Sequence, residues 1–159
     1  MRDRHEVLRE IIDLYIESDK ERIVYLWEKK PKRREQLYEE LFYCIGWFRG
    51  SRSIALDPPF EQPGQVVKLM RQCGAGVTCL VYSWNDYDRA AEEANLDAAL
   101  AEYVGQQRPV MLFCPISKTA FCEDHNGSQL LLSLKSPAEF LKGVRADMAA
   151  DRARARIRR

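Results

Sequence analysis

Apolar residues return at helical intervals through the first fifty positions. Val7, Leu8, Ile11, Ile12, Tyr15 and Ile16 make one stripe, and Ile23, Val24, Leu26 and Trp27 continue it. Ser18 followed by Glu21 has the capping-box pattern, so the first helix either restarts there or runs on to Trp27. Pro31 ends it, and Leu37, Leu41, Phe42, Ile45, Trp47 and Phe48 carry a second helix to Gly50. The segment reads as a helical hairpin with an apolar face to dock.

From Ser53 the pattern changes to short apolar runs alternating with helical ones. Ser53–Leu56 is a strand, and Pro63 to Cys73 a helix closed by Gly74. Val77–Trp84 is a nearly continuous apolar and β-branched run of the kind a buried parallel strand shows. Asn85 or Asp86 caps a helix through Tyr87, Ala90, Ala91, Ala94, Leu96 and Leu100 to about Val104. Pro109–Cys114 is another buried strand. Thr119–Asp124 and Gln129–Leu134 form a hairpin on a two-residue Asn126-Gly127 turn, which would pair Glu123 with Leu130 and gather Phe121, Leu130, Leu132 and Leu134 on one face. Ser136-Pro137-Ala138-Glu139 then opens a helix with Phe140, Leu141, Val144 and Met148 inward. The order αα-βαβαβββα predicts a three-layer α/β domain whose mixed sheet has a parallel core and an antiparallel C-terminal hairpin. Its parts are a helical hairpin over 1–50, an α/β domain over 51–150 and an arginine-rich tail over 151–159.

Charge adds a gradient. The net charge is +1 over 159 residues, but residues 51–110 sum to −3 and residues 111–159 to +4. The C-terminal surplus lies in Arg152, Arg154, Arg156, Arg158 and Arg159, a polyanion-binding candidate whose alternate spacing splays the side chains around a helix. A second basic cluster, Lys29, Lys30, Lys32, Arg33 and Arg34, flanks Pro31; it reads first as the exposed joint of two helices, with an import signal or a phosphate contact as the functional alternatives. No apolar stretch approaches the ~20 residues of a membrane span, and from the charged opening no secretory leader, no membrane contact and a cytoplasmic location are expected.

Candidate chemistry is sparse. Asp57-Pro58-Pro59-Phe60 stands where a strand ends and a crossover begins, the position of ligand clefts in open α/β sheets. This loop, with the elements after it, resembles the catalytic half of amino-group methyltransferases, which carry an Asp/Asn-Pro-Pro-aromatic loop at such a strand end. The resemblance implies Asp57 as acceptor for a target amino group, Phe60 as a stacking platform, Pro58 and Pro59 as a rigid frame, and S-adenosylmethionine as cofactor. The chain departs from that family in having no glycine-rich cofactor loop: Gly46 and Gly50 flank aromatics, and Gly74 and Gly76 close a helix.

The same element order is similar to a thioredoxin-like fold, yet no Cys-x-x-Cys exists, which disfavours thiol–disulfide chemistry. Five cysteines suit a reducing compartment. Cys114, Cys122, Asp124 and His125 match no standard zinc spacing; with residues 115–118 as a loop, Cys114 pairs with Thr119 and Cys122 faces the other way. No complete catalytic constellation emerges and no cofactor is expected. The leading expectation is a non-catalytic interaction or assembly protein using its N-terminal helices and basic tail, with a protein partner or a second copy. An S-adenosylmethionine-dependent amino methyltransferase or a degenerate relative using the Asp57–Phe60 loop, and a nucleic-acid-binding subunit, are the alternatives.

Overall fold

The computed structural model describes residues 3–43, 45–48, 50–83, 91–135 and 137–158, the side chains of Tyr43 and Pro137 excepted. Cys44, the expected helix start at Asn85 to Ala90, the Ser136 cap and Arg159 lie outside the described residues.

Asp3 caps α1 (Arg4–Tyr15) by accepting the His5 N–H at 3.1 Å. The chain restarts as α2 (Lys20–Lys29), with Asp19 and not Ser18 at the cap position, in the left-handed region at φ 59°. A 3-10 turn at Pro31–Arg33 leads into α3 (Arg34–Tyr43), and another at Ile45–Phe48 leads out towards β1 (Ser53–Ala55). Then follow α4 (Pro63–Gln72), β2 (Thr78–Ser83), β3 (Glu92–Asn95), α5 (Leu96–Tyr103), β4 (Val110–Cys114), β5 (Thr119–Glu123), β6 (Gln129–Leu132) and α6 (Pro137–Ile157).

Among the described residues six strands form one sheet in the order β1-β6-β5-β4-β2-β3, and each of their pairings is antiparallel. The expected parallel core is therefore wrong. Helix crossovers do join strands running in the same direction, β1 to β2 through α4 and β3 to β4 through α5. Other strands separate those partners: β6, β5 and β4 stand between β1 and β2, and β2 stands between β3 and β4. The apolar run of β4 arises because helices cover both faces, which buries a central strand along its length whatever its neighbours' direction, whereas β2 is only partly buried.

Two smaller expectations also fail. Ala91 to Asn95 is not helical: Glu92–Asn95 pairs with β2 as an edge strand, and α5 starts at Leu96, where Asn95 Oδ1 accepts the Ala98 N–H at 3.0 Å. Alanine spacing favoured a helix, but alanine buries too little area to outweigh strand pairing. In the C-terminal hairpin Glu123 pairs with Gln129, not Leu130. The Asp124 carbonyl accepts the Gly127 N–H, Gly127 takes φ 79°, and Asp124 Oδ1 accepts from both Asn126 N and Ser128 N at 2.9 Å. This is a three-residue loop with a glycine bulge, and it moves the register by one. Phe121 and Leu131 thus share one face, Cys122, Leu130 and Leu132 the other, and Leu134 is exposed.

The two faces carry separate cores. On one side α1 to α3 and the 3-10 turn after them pack Ile12, Tyr15, Trp27, Tyr38 and Phe48 onto Tyr82, Met111, Phe113, Cys122 and Leu132. On the other, α4, α5 and α6 pack Val66, Leu69, Leu100 and Val144 onto Cys79, Leu112, Cys114, Phe121 and Leu131. The apolar stripes of the N-terminal helices are consumed by the chain's own sheet. Among the described residues no helix is long and apolar enough to cross a membrane.

Candidate functional site

The Asp57–Phe60 loop leaves the end of β1 and crosses to α4 at the sheet end that also holds the β5–β6 turn and the loop after α5. The Asp57–Pro58 peptide is cis. Asp57, Pro58 and Pro59 are exposed, whereas Phe60 is 1% exposed. Two hollows flank the loop. One, of about 260 Å³, is lined by Asp57 and Pro59 with Ile45, Ser128 and Gln129. The other, of about 520 Å³, is an open groove between Pro58, Pro59, Phe60, Glu61, Gln62 and Gln65 on one wall and Arg145, Met148, Ala149 and Arg152 of α6 on the other. Asp57 and Phe60 thus line different hollows. The Phe60 ring is covered by the Arg145 guanidinium, 4.8 Å from its centroid, instead of presenting a free face.

The loop is held from beneath. Gln129 Oε1 accepts the Phe60 N–H at 2.8 Å, and Gln129 Nε2 donates to the Phe60 carbonyl at 2.9 Å and to Glu123 Oε2 at 2.8 Å. The wholly buried Glu123 carboxylate also accepts Gly105 N at 2.8 Å and Gln107 N at 2.7 Å. Both oxygens of the carboxylate are thus engaged, Oε2 by two donors and Oε1 by one, as a buried acceptor requires. From above, Arg145 Nη2 donates to the Pro58 carbonyl at 2.6 Å. Gln62, at the cap position of α4, makes no capping bond with its side chain, and that amide lines the groove.

Helix α6 brings part of the basic tail to this groove. The tail is not a separate segment: α6 is 21 residues long, about 31 Å at 1.5 Å per residue, and residues 149–158 are all exposed. Arg152 and Arg156 follow Arg145 by seven and eleven positions, close to two and three whole turns, so all three share one helix face, on which Arg145 and Arg152 line the groove and Arg156 lies a turn beyond it. Arg154 and Arg158 fall on the opposite side, where Arg154 meets Asp151 at 3.7 Å. The basic joint lies in the other helical layer. Lys29, Lys30, Lys32 and Arg33 are exposed there, and Arg34 Nε donates to the Trp27 carbonyl at 2.5 Å, closing the C-terminus of α2. The sheet separates the two basic clusters, so they form no common surface.

Cys114 pairs with Thr119 and faces the α4–α6 layer, while Cys122 faces α1–α3. His125 is exposed on the turn beyond β5, at the other end of that strand from Cys114, so the three do not converge. Among the described residues no cluster of His, Cys, Asp or Glu is arranged to hold a metal ion.

Arg145, Glu123 and Gln129 were missed in reading the chain. Arg145 had a signal, its two-turn spacing from Arg152. Gln129 had none, because its partner Phe60 is 69 positions away. Comparison of the chain with protein families, with curated proteins and with solved structures finds no match.

Proposed function

We propose that this protein is a non-catalytic binding protein that takes a single-stranded nucleic acid along the groove and the basic face of α6. The observation that carries the reading is the arrangement of Arg145, Arg152 and Arg156 on one face of an exposed helix whose inner part walls an open groove. Arg152 and Arg156 are about 6 Å apart along the helix axis and present planar guanidinium groups, which suit phosphate oxygens. The groove beside them offers the Gln62 and Gln65 amides and the apolar edges of Pro58, Pro59 and Met148, a surface for an unstacked base. The N-terminal helices contribute structure, because their apolar stripes are spent on the sheet.

The test is fluorescence anisotropy with a labelled 20-nucleotide single strand at several salt concentrations, beside a labelled polyglutamate. About three phosphate contacts give a slope of log K against log salt of roughly −2. R152E with R156E abolishes binding, while R154E with R158E leaves at least half of it. Binding to polyglutamate and not to the strand transfers the site to an acidic protein partner, and binding unaffected by salt or by R152E/R156E overturns the reading.

A further inference from the structure

At the opposite end of the sheet from the groove, β2 and β4 carry a pair of free thiols, Cys79 and Cys114. The ladder pairs Leu80 with Phe113, so the next rung sets Cys79 against Cys114. Which kind of rung it is follows from the other side of β2. The Val77 carbonyl accepts the Leu96 N–H at 2.8 Å, so odd-numbered residues of β2 turn their backbone groups to β3 and even-numbered ones to β4. Cys79 and Cys114 therefore face one another across a non-hydrogen-bonded rung. Such rungs hold Cα atoms about 4.5 Å apart, inside the roughly 4.4–6.8 Å that a disulfide spans. Both side chains belong to the α4–α6 face. Pro115 has no N–H to continue the ladder past this rung.

We infer that Cys79 and Cys114 are a redox modification site, closing to a cross-strand disulfide on exposure to a low-molecular-weight disulfide. In the first step a thiolate attacks the small disulfide, forming a mixed disulfide and releasing one small thiol. The second cysteine then attacks the protein sulfur, forming the Cys79–Cys114 bond and releasing the other small thiol. Two electrons pass from the cysteines to the oxidant, and their two protons end on the released thiols.

The thiols are 1% and 2% exposed but lie just under the rim of the sheet, where Val77 is 60% and Ile116 97% exposed. Opening of that rim is the route of entry. Burial pushes Cys79 up to about 12 and Cys114 up to about 11, so little thiolate is present near neutrality and the rate climbs with pH. Cys73, at the end of α4, lies on the same face, and its carbonyl accepts the Thr119 hydroxyl at 3.3 Å. It is the rival partner for Cys114 in the test.

The full chain is incubated natively with oxidised glutathione at pH 8.5, quenched by alkylation, digested and sequenced by mass spectrometry. The expected product is intramolecular, loses two of the five alkylatable thiols, links Cys79 to Cys114, and reverts with dithiothreitol. It forms equally in C73A and has a raised thermal midpoint. A link through Cys73 or Cys122, five thiols still alkylatable, or a link formed only in denaturant overturns the inference. None of these outcomes bears on the groove at the other end of the sheet.

Discussion

Replacing Gln129 by leucine tests whether the Asp57–Phe60 loop is held by one buried amide. Leucine keeps the bulk but removes both bonds to Phe60, leaving its N–H and carbonyl without partners in a buried setting. It also removes one of the three donors to the buried Glu123 carboxylate. An orphaned buried polar group costs about 1–3 kcal/mol, and the added apolar burial returns about 1 kcal/mol. The net loss is therefore about 3 kcal/mol. For a chain of this length that is roughly 6–12 °C in thermal midpoint. Urea unfolding measures it as a lowered midpoint with unchanged slope. Hydrogen exchange localises it, since the Phe60 amide should lose its protection while that of Leu112 in β4 keeps most of its own. A loss under about 1 kcal/mol, or a Phe60 amide still protected in Q129L, would refute the role given to Gln129.

Three further outcomes follow from other contacts. Gly74 closes α4 at φ 95° with its N–H on the Arg71 carbonyl and the Ala75 N–H on that of Met70, so G74A should lower stability by about 1 kcal/mol in urea melts. R145A removes the bond to the Pro58 carbonyl and the cover over Phe60; half-exposed, it should cost about 1 kcal/mol, R145K recovering part of that, measured in the same melts. Glu17 accepts from the Ser51 hydroxyl and N–H, and these bonds hold its carboxyl below the usual range. Because the folded value is the lower one, this contribution is present above the unfolded pKa and fades as pH falls through the folded one. S51A should therefore raise the Glu17 titration midpoint seen by NMR, through loss of the hydroxyl bond.

The elements of this fold were largely legible in the chain, and the sheet was not. Periodicity located α1 and α2, the Pro63 start and Gly74 end of α4, and the apolar strands β2 and β4, because each is a local signal. Strand direction is set by which partner arrives in space. A helix crossover returns the chain in the same direction, but it is silent on whether the two strands touch. Here the β5–β6 hairpin fills the gap beside β1, and β2 fills the one between β3 and β4. The hairpin register failed for a finer reason. Asn126-Gly127 is a two-residue turn signal, but Asp124 next to it offers a carboxylate to two loop amides, which favours the longer loop.

The site divides along the same line between local and distant. The proline motif was found where it stands, at a strand end beside an open groove, yet the part each residue plays depends on distant neighbours. Phe60 is a buried plug because Gln129 grips its backbone and Arg145 covers its ring, both far along the chain. The two prolines then serve as the groove's rigid wall, and its charge comes from α6. Even there, alternate arginines look splayed when the tail is read alone. Extending the helix back to Arg145 resolves them into one face, with Arg145 and Arg152 at the groove and Arg156 a turn beyond, and an outward set, Arg154 and Arg158. If binding is a property of that face, charge reversal at Arg152 and Arg156 must outweigh the same reversal at Arg154 and Arg158, although both double variants change the net charge equally. Equal losses from the two pairs would mean that a diffuse positive field, and not the groove face, attracts the ligand.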